Sequence, residues 1–222
     1  MRLFLDTANI EQIREGVKMG IISGVTTNPT LMAKEKGVSY RDRVVEICET
    51  VDGPVSAECT ARDVDGLISE GREIAAWHAN VIVKIPIDEI GLEATSVLSK
   101  EGIKINMTLI FSANQALLAA TAGATFVSPF VGRLDDAGQE GMEVVRESVE
   151  IFDQYNLPAQ VLAASLRHPR HVIDAARLGA QIATLPYSLL KAMVKHPLTD
   201  VGIERFLADS QAYEKESARS GA

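Results

Sequence analysis

Short runs rich in Val, Ile and Leu alternate along the chain with longer stretches in which apolar positions recur at helical spacing. The short runs fall at residues 3–6, 24–27, 55–58, 81–84, 104–108, 126–129, 160–164 and 182–185. Helical stretches follow at about 9–19, 39–51, from Asp63, at 91–101, from a cap at Ser112, at 139–154, from Pro169 and from Tyr187. That is eight strand–helix units, about 28 residues each over a 222-residue chain. Strands alternating with helices predict a parallel sheet covered by helices, and eight such units predict closure into a barrel. The expected fold class is α/β, a single (β/α)8 TIM barrel over residues 1–222 with an additional C-terminal helix at about 199–218. An open doubly wound sheet would carry a glycine-rich turn after its first strand, whereas here the first strand runs into Asp6-Thr7-Ala8-Asn9.

The ninth stretch lies outside the eight units. Ile203, Phe206, Leu207 and Tyr213 share one helical face, which either folds back over the barrel or packs on a neighbouring subunit. The small, polar tail at residues 217–222 is expected to fray.

In this architecture chemistry sits at the C-terminal ends of the strands. Strand side chains alternate between faces, so each strand end is read in steps of two. Thr26 and Asn28 share a face, as do Ser56 and Glu58, Ile82 and Lys84, and Asn106 and Thr108. Ser128 goes with Phe130, Ser165 with Arg167, and Asp6 with Phe4. The opposite phase holds Val25, Ala57, Val83, Met107 and Val127, which suit contact with helices. Polar groups converging inside a barrel are costly unless they bond to each other, to water or to a ligand, so this phase predicts a solvated cavity.

Composition narrows what that cavity receives. A formal charge of −8 disfavours nucleic acid as a partner and means that an anionic substrate needs a locally basic pocket. No apolar run reaches membrane-spanning length, and Met1-Arg2-Leu3-Phe4-Leu5-Asp6 reaches a charge too soon for a secretory leader. Two cysteines, Cys48 and Cys59, without paired spacing read as reduced thiols of a cytoplasmic protein.

Lys84 stands at the end of a β-branched run, where it is a desolvated amine able to form imines or a lysine paired with Asp6 or Glu58. Those two carboxylates have the chemistry to divide acid and base work. None of His78, His168, His171 and His196 falls at a strand end in the inward phase, so no metal site is expected; His168 and His171 open a helix and read as surface residues. Arg133 and Arg167 follow the sixth and seventh strands with Ser165 beside the latter, where the guanidinium fork suits phosphate. For Arg133 the ordinary alternative is an ion pair with Asp135 or Asp136.

Together these segments resemble the transaldolases, in particular the small-subunit type that includes the fructose-6-phosphate aldolases. The resemblance rests on Phe4-Leu5-Asp6-Thr7-Ala8, Gly24-Val25-Thr26-Thr27-Asn28-Pro29-Thr30-Leu31, Val83-Lys84-Ile85-Pro86, the segment from Ile105 to Ser112, the segment from Ser128 to Arg133, and Ala164-Ser165-Leu166-Arg167. It implies a Schiff base at Lys84, proton transfer by Glu58 through a water held with Thr108, and Asp6 as base for the C4 hydroxyl. Thr26, Asn28, Asn106, Ser128 and Phe130 would line the donor site, and Arg133, Ser165 and Arg167 would grip phosphate. No cofactor is implied, because the protonated imine is itself the electron sink. The implied activity is transfer of a dihydroxyacetone unit between sugar phosphates in the pentose phosphate pathway, with a homo-oligomer, pentamer or decamer, as the assembly. Aldolase members tend to carry glutamine and tyrosine where Glu58 and Phe130 stand, so both positions here read as transaldolase. The alternatives are a fructose-6-phosphate aldolase and, in another class, a non-catalytic sugar-phosphate binding protein.

Overall fold

The computed structural model describes residues 1–220, with side chains described through residue 217. Its strands are β1 (Arg2–Asp6), β2 (Ile22–Thr26), β3 (Val55–Glu58), β4 (Val81–Pro86), β5 (Ile105–Ile110), β6 (Phe126–Pro129), β7 (Gln160–Ala163) and β8 (Ile182–Leu185). They pair in parallel in sequence order, and β8 returns to β1 to close the barrel. The helices are α1 (Ile10–Lys18), α2 (Pro29–Met32), α3 (Tyr40–Thr50), α4 (Val64–Ala75), α5 (Glu89–Lys100), α6 (Ala113–Thr121), α7 (Val131–Asp136), α8 (Gly141–Gln154), α9 (Pro169–Arg177), α10 (Tyr187–Val194) and α11 (Pro197–Ser220).

Local chemistry sets most helix starts. Asn9, Ser39, Asp63, Asp88 and Ser112 each place a side-chain oxygen on the backbone N–H three residues ahead. Asp88 starts α5 at Glu89, two residues earlier than the spacing predicts. Two short helices go beyond the sequence expectation. α2 spans only four residues, capped by Asn28 with Pro29 in its first turn, too short for an apolar period to register. α7 leaves β6 directly after Phe130 with no side-chain cap, so nothing local announces it.

Apolar side chains fill two compartments. The larger lies between the outer strand faces and the helices and includes Val25, Ala57, Val83, Met107 and Val127, the helix-facing phase. The smaller fills the barrel with Phe4, Ile82, Phe126, Leu162, Ala164 and Ile182. Phe4 and Phe126 meet edge to face at 6.2 Å, and Arg2 lies beneath both rings while bonding Gln160. Gly24 makes room for this plug, since a Cβ there would come within 2.6 Å of the Phe4 ring. The plug closes one end of the barrel, so polar residues accumulate at the other.

α11 begins two residues before the expected 199 and continues to Ser220; residues 221 and 222 of the tail expected to fray lie outside the described residues. The helix does not fold its apolar face onto the barrel. Phe206 and Tyr213 are each 73% exposed, and Ile203 and Leu207 are also exposed. Among the described residues no helix is long and apolar enough to cross a membrane.

Candidate active site

The polar phase of the strands converges at the C-terminal mouth of the barrel. The cavity there, about 570 Å³ including its open mouth, is lined by Asp6, Thr26, Asn28, Lys84, Asn106, Thr108, Ser128, Phe130, Arg133, Ser165 and Arg167, together with Leu162, Ala164 and Thr184. Glu58 joins Lys84, Thr108, Phe130 and Arg133 around the adjoining part of the same mouth. All twelve residues expected at the site from sequence are thus brought together.

Register explains the convergence. Asp6 pairs with Thr26, Thr26 with Ser56, Glu58 with Lys84, and Lys84 with Asn106 across successive strands. Parallel neighbours in register point the same way, so these side chains form rings inside the barrel. Two polar strings make the floor. In the first, Thr26 donates to Asp6 at 2.8 Å, which leaves Thr184 to donate to Thr26 at 2.7 Å. In the second, Ser128 donates to the Asn106 Oδ1 at 2.6 Å and the Asn106 Nδ2 donates to Ser56 at 3.0 Å. The Thr26, Thr184 and Ser128 hydroxyl protons are spent on neighbours, so these groups are held in place and offer a ligand their acceptor lone pairs.

Lys84 is 4% exposed. Its Nζ donates to the Thr27 carbonyl at 3.0 Å and lies 3.0 Å from a Glu58 carboxylate oxygen. Of the two sequence readings of this lysine, the pairing with a carboxylate is present, with Glu58 as the partner, and Lys84 also lines the cavity. Burial raises the Asp6 carboxyl above its ordinary value of 3.8, against the lowering effects of Lys84, the Thr26 hydrogen bond and Lys34. Thr108 is 1% exposed and its Oγ1 has no protein partner. A buried hydroxyl left in this way is a ready place for a bound water or substrate oxygen. Just beyond it Leu109 takes a left-handed φ of 59°, and the β5–β6 register shifts between Met107 and Ile110. This bulge interrupts the β5–β6 pairing at the cavity rim, and pairing resumes at Ile110.

The rim is basic. The Arg133 guanidinium lies 5.3 Å from the Phe130 ring centroid, and Phe130 packs edgewise on Phe111. The expected ion pair of Arg133 with Asp135 or Asp136 does not form. Asp136 instead pairs with Arg167 at 2.8 Å, and Asp135 pairs with His171 at 3.0 Å. His171 is not the surface residue expected from sequence: it is 8% exposed, with its Nε2 on Asp135 of α7 and its ring against His168. β7 ends at Ala163, and Ser165, with a φ of 59°, belongs to the following loop, so Ser165 and Arg167 reach the cavity from a turn.

Sequence reading passed over two contributors. Thr184 lies in phase with Ile182 and could have been found by the same step of two. Tyr40, from α3, accepts from the Glu58 N–H at 2.5 Å, donates to the Glu58 carbonyl and stacks edge-on against Trp77. Only the fold brings it to β3.

A closed parallel barrel with a buried lysine, two carboxylates and a basic rim at its strand C-termini has the make-up of a (β/α)8-barrel enzyme. The chain belongs to the transaldolase/fructose-6-phosphate aldolase family, whose model matches residues 3–221. It is 56% identical over 215 residues to a probable transaldolase of Roseiflexus sp. (strain RS-1), covering 97% of this chain and 99% of that one. A probable transaldolase of Heliobacterium modesticaldum is 60% identical over 209 residues, covering 94% of this chain and 97% of its own length. Among solved structures, thiamine phosphate pyrophosphorylase from Pyrococcus furiosus superposes with a TM-score of 0.57 at 15% identity, covering 86% of this chain and 93% of that one. That likeness is one of fold alone.

Proposed function

We propose that the chain is a transaldolase that moves a dihydroxyacetone unit from sedoheptulose 7-phosphate to glyceraldehyde 3-phosphate through an imine at Lys84. The observation that carries this reading is the Lys84–Glu58 pair at 3.0 Å inside a cavity that also holds Asp6 and a basic rim. The ammonium passes a proton to Glu58, and the amine so freed adds to the C2 carbonyl. Glu58, through a water held at Thr108, returns that proton to the leaving hydroxyl, so that water departs and an iminium remains. Asp6 then takes the C4 hydroxyl proton. The C3–C4 bond breaks, its electron pair enters the iminium to give an enamine, and the aldose phosphate leaves. The enamine, held by Asn28, Asn106 and Ser128, attacks the aldehyde of the acceptor, and the steps run in reverse.

Burial of Asp6 fits this role, since raising a carboxyl above its usual range makes it a stronger base once ionised. Asn28 spends its Oδ1 on the Leu31 N–H, which leaves its amide donors for the ligand. Arg133, Arg167 and Ser165 receive the phosphate, with Arg167 exchanging Asp136 for it. The same reading places the chain in the pentose phosphate pathway of the cytoplasm, and in a ring-shaped homo-oligomer in which the exposed face of α11 meets another copy. An assay with fructose 6-phosphate as donor, run with and without erythrose 4-phosphate, tests the activity. Turnover that requires the acceptor is expected. Release of free glyceraldehyde 3-phosphate without it would instead assign the aldolase reaction.

A further inference from the structure

The two arginines of the rim sit on different segments, Arg133 on α7 and Arg167 on the loop before α9. Backbone bonds tie these segments as far as Ser165: Val131 N–H donates to the Ala164 carbonyl and Gly132 N–H to the Ser165 carbonyl, both at 3.0 Å. The approach is close enough that a Cβ on Gly132 would lie 2.2 Å from the Ser165 oxygen. Beyond Ser165 the chain turns through its left-handed residue and no further backbone bond joins it to α7. The backbone N–H of Arg167 is instead taken by the His171 Nδ1 at 3.2 Å. The other ring nitrogen of His171 meets Asp135 at 3.0 Å, two residues along α7 from Arg133. Asp135 in turn accepts from the Gly141 N–H and so is fixed to the start of α8.

We propose that His171 is a positioning residue for phosphorylated substrates, a clasp that sets the Arg167 backbone against the Arg133 helix so that both guanidinium groups meet one phosphate. The inference rests on the reading of those arginines as phosphate ligands. The bonds require a neutral imidazole with Nδ1 accepting and Nε2–H donating. Burial, with His168 stacked at 3.7 Å, holds the ring below its ordinary 6.5, and Arg167 acts in the same sense while Asp135 and Asp174 oppose it. His171 fixes the Arg167 backbone N–H, so the guanidinium can exchange Asp136 for phosphate while its stem stays against Gly132. A bidentate contact depends on such placement more than a single-point charge does.

The test compares imine formation with phosphorylated and unphosphorylated ketoses, read as borohydride-trapped adduct on the full-length chain against ketose concentration. His171→Leu should raise the half-saturating concentration of fructose 6-phosphate about tenfold and leave that of dihydroxyacetone within about twofold. His171→Asn, which keeps an acceptor at the position of Nδ1 but loses the reach to Asp135, should recover only part of the loss. If His171→Leu does not fold, Asp135→Ala removes the acceptor of the Nε2–H, opens the clasp from the α7 side and should shift the same ratio. Equal shifts for both ketoses, or none, would overturn the clasp while leaving the imine reading intact. A wild-type chain that traps neither ketose would overturn the imine reading and the clasp with it.

Discussion

Asp6 carries a conflict that a single substitution exposes. Its folded-state pKa lies above the unfolded one, so the folded chain holds that proton more tightly. The contribution favours folding below the unfolded value and is lost as pH rises through the folded value, so the buried carboxyl is a net cost at neutral pH. Asp6→Asn removes that cost and keeps an oxygen for the Thr26 hydroxyl. Thermal denaturation should show a higher Tm for the variant at pH 7, with the gain gone at pH 3.8 and below. Turnover should fall about 10²–10⁴-fold, the usual range for loss of a general base. Thr108→Val makes the complementary case. The hydroxyl has no protein partner, so its removal should leave Tm unchanged or raised. If it holds the proton-relay water, the trapped-imine rate should still drop about tenfold. A variant that keeps the full rate would remove Thr108 from the relay.

The strands were legible in the sequence because both of their faces are constrained. One must be apolar against helices and the other changes from plug to polar mouth, so Phe4 and Asp6, or Ile82 and Lys84, already tell inside from outside. Elements set by contacts distant in sequence were not legible. The Leu109 bulge leaves no mark in an apolar run, and α7, lacking a cap, hid the burial of His171. Tyr40 is the same kind of case: it opens α3 and reads as an ordinary first-turn residue, yet its hydroxyl bonds both backbone groups of Glu58. Tyr40→Phe keeps the ring against Trp77 and removes those bonds. Denaturant melts should show a loss of about 1 kcal/mol, and turnover should fall several-fold. In a Glu58→Gln background the same change should cost turnover little further, since Tyr40 acts through Glu58.

At the scale of the whole molecule, among the described residues the barrel leaves Phe206 and Leu207 of α11 73% and 59% exposed. A face of this kind, with Ile203 and Tyr213 beside it, suits contact with another copy of the chain. Light scattering of Phe206→Glu/Leu207→Glu should report a smaller species than the wild type, with the circular dichroism of the barrel retained. Identical masses would place the assembly contact elsewhere. The molecule also sets a net charge of −8 against a basic rim, so attraction of phosphorylated substrates is local and short-ranged. The covalent step at the centre of that mouth is the claim on which the functional account depends. Incubation with fructose 6-phosphate and borohydride, followed by peptide mass mapping, tests it most directly. The account predicts one added dihydroxyacetone unit, on the peptide bearing Lys84 and absent from Lys84→Ala; an unmodified chain, or an adduct on another lysine, would contradict it.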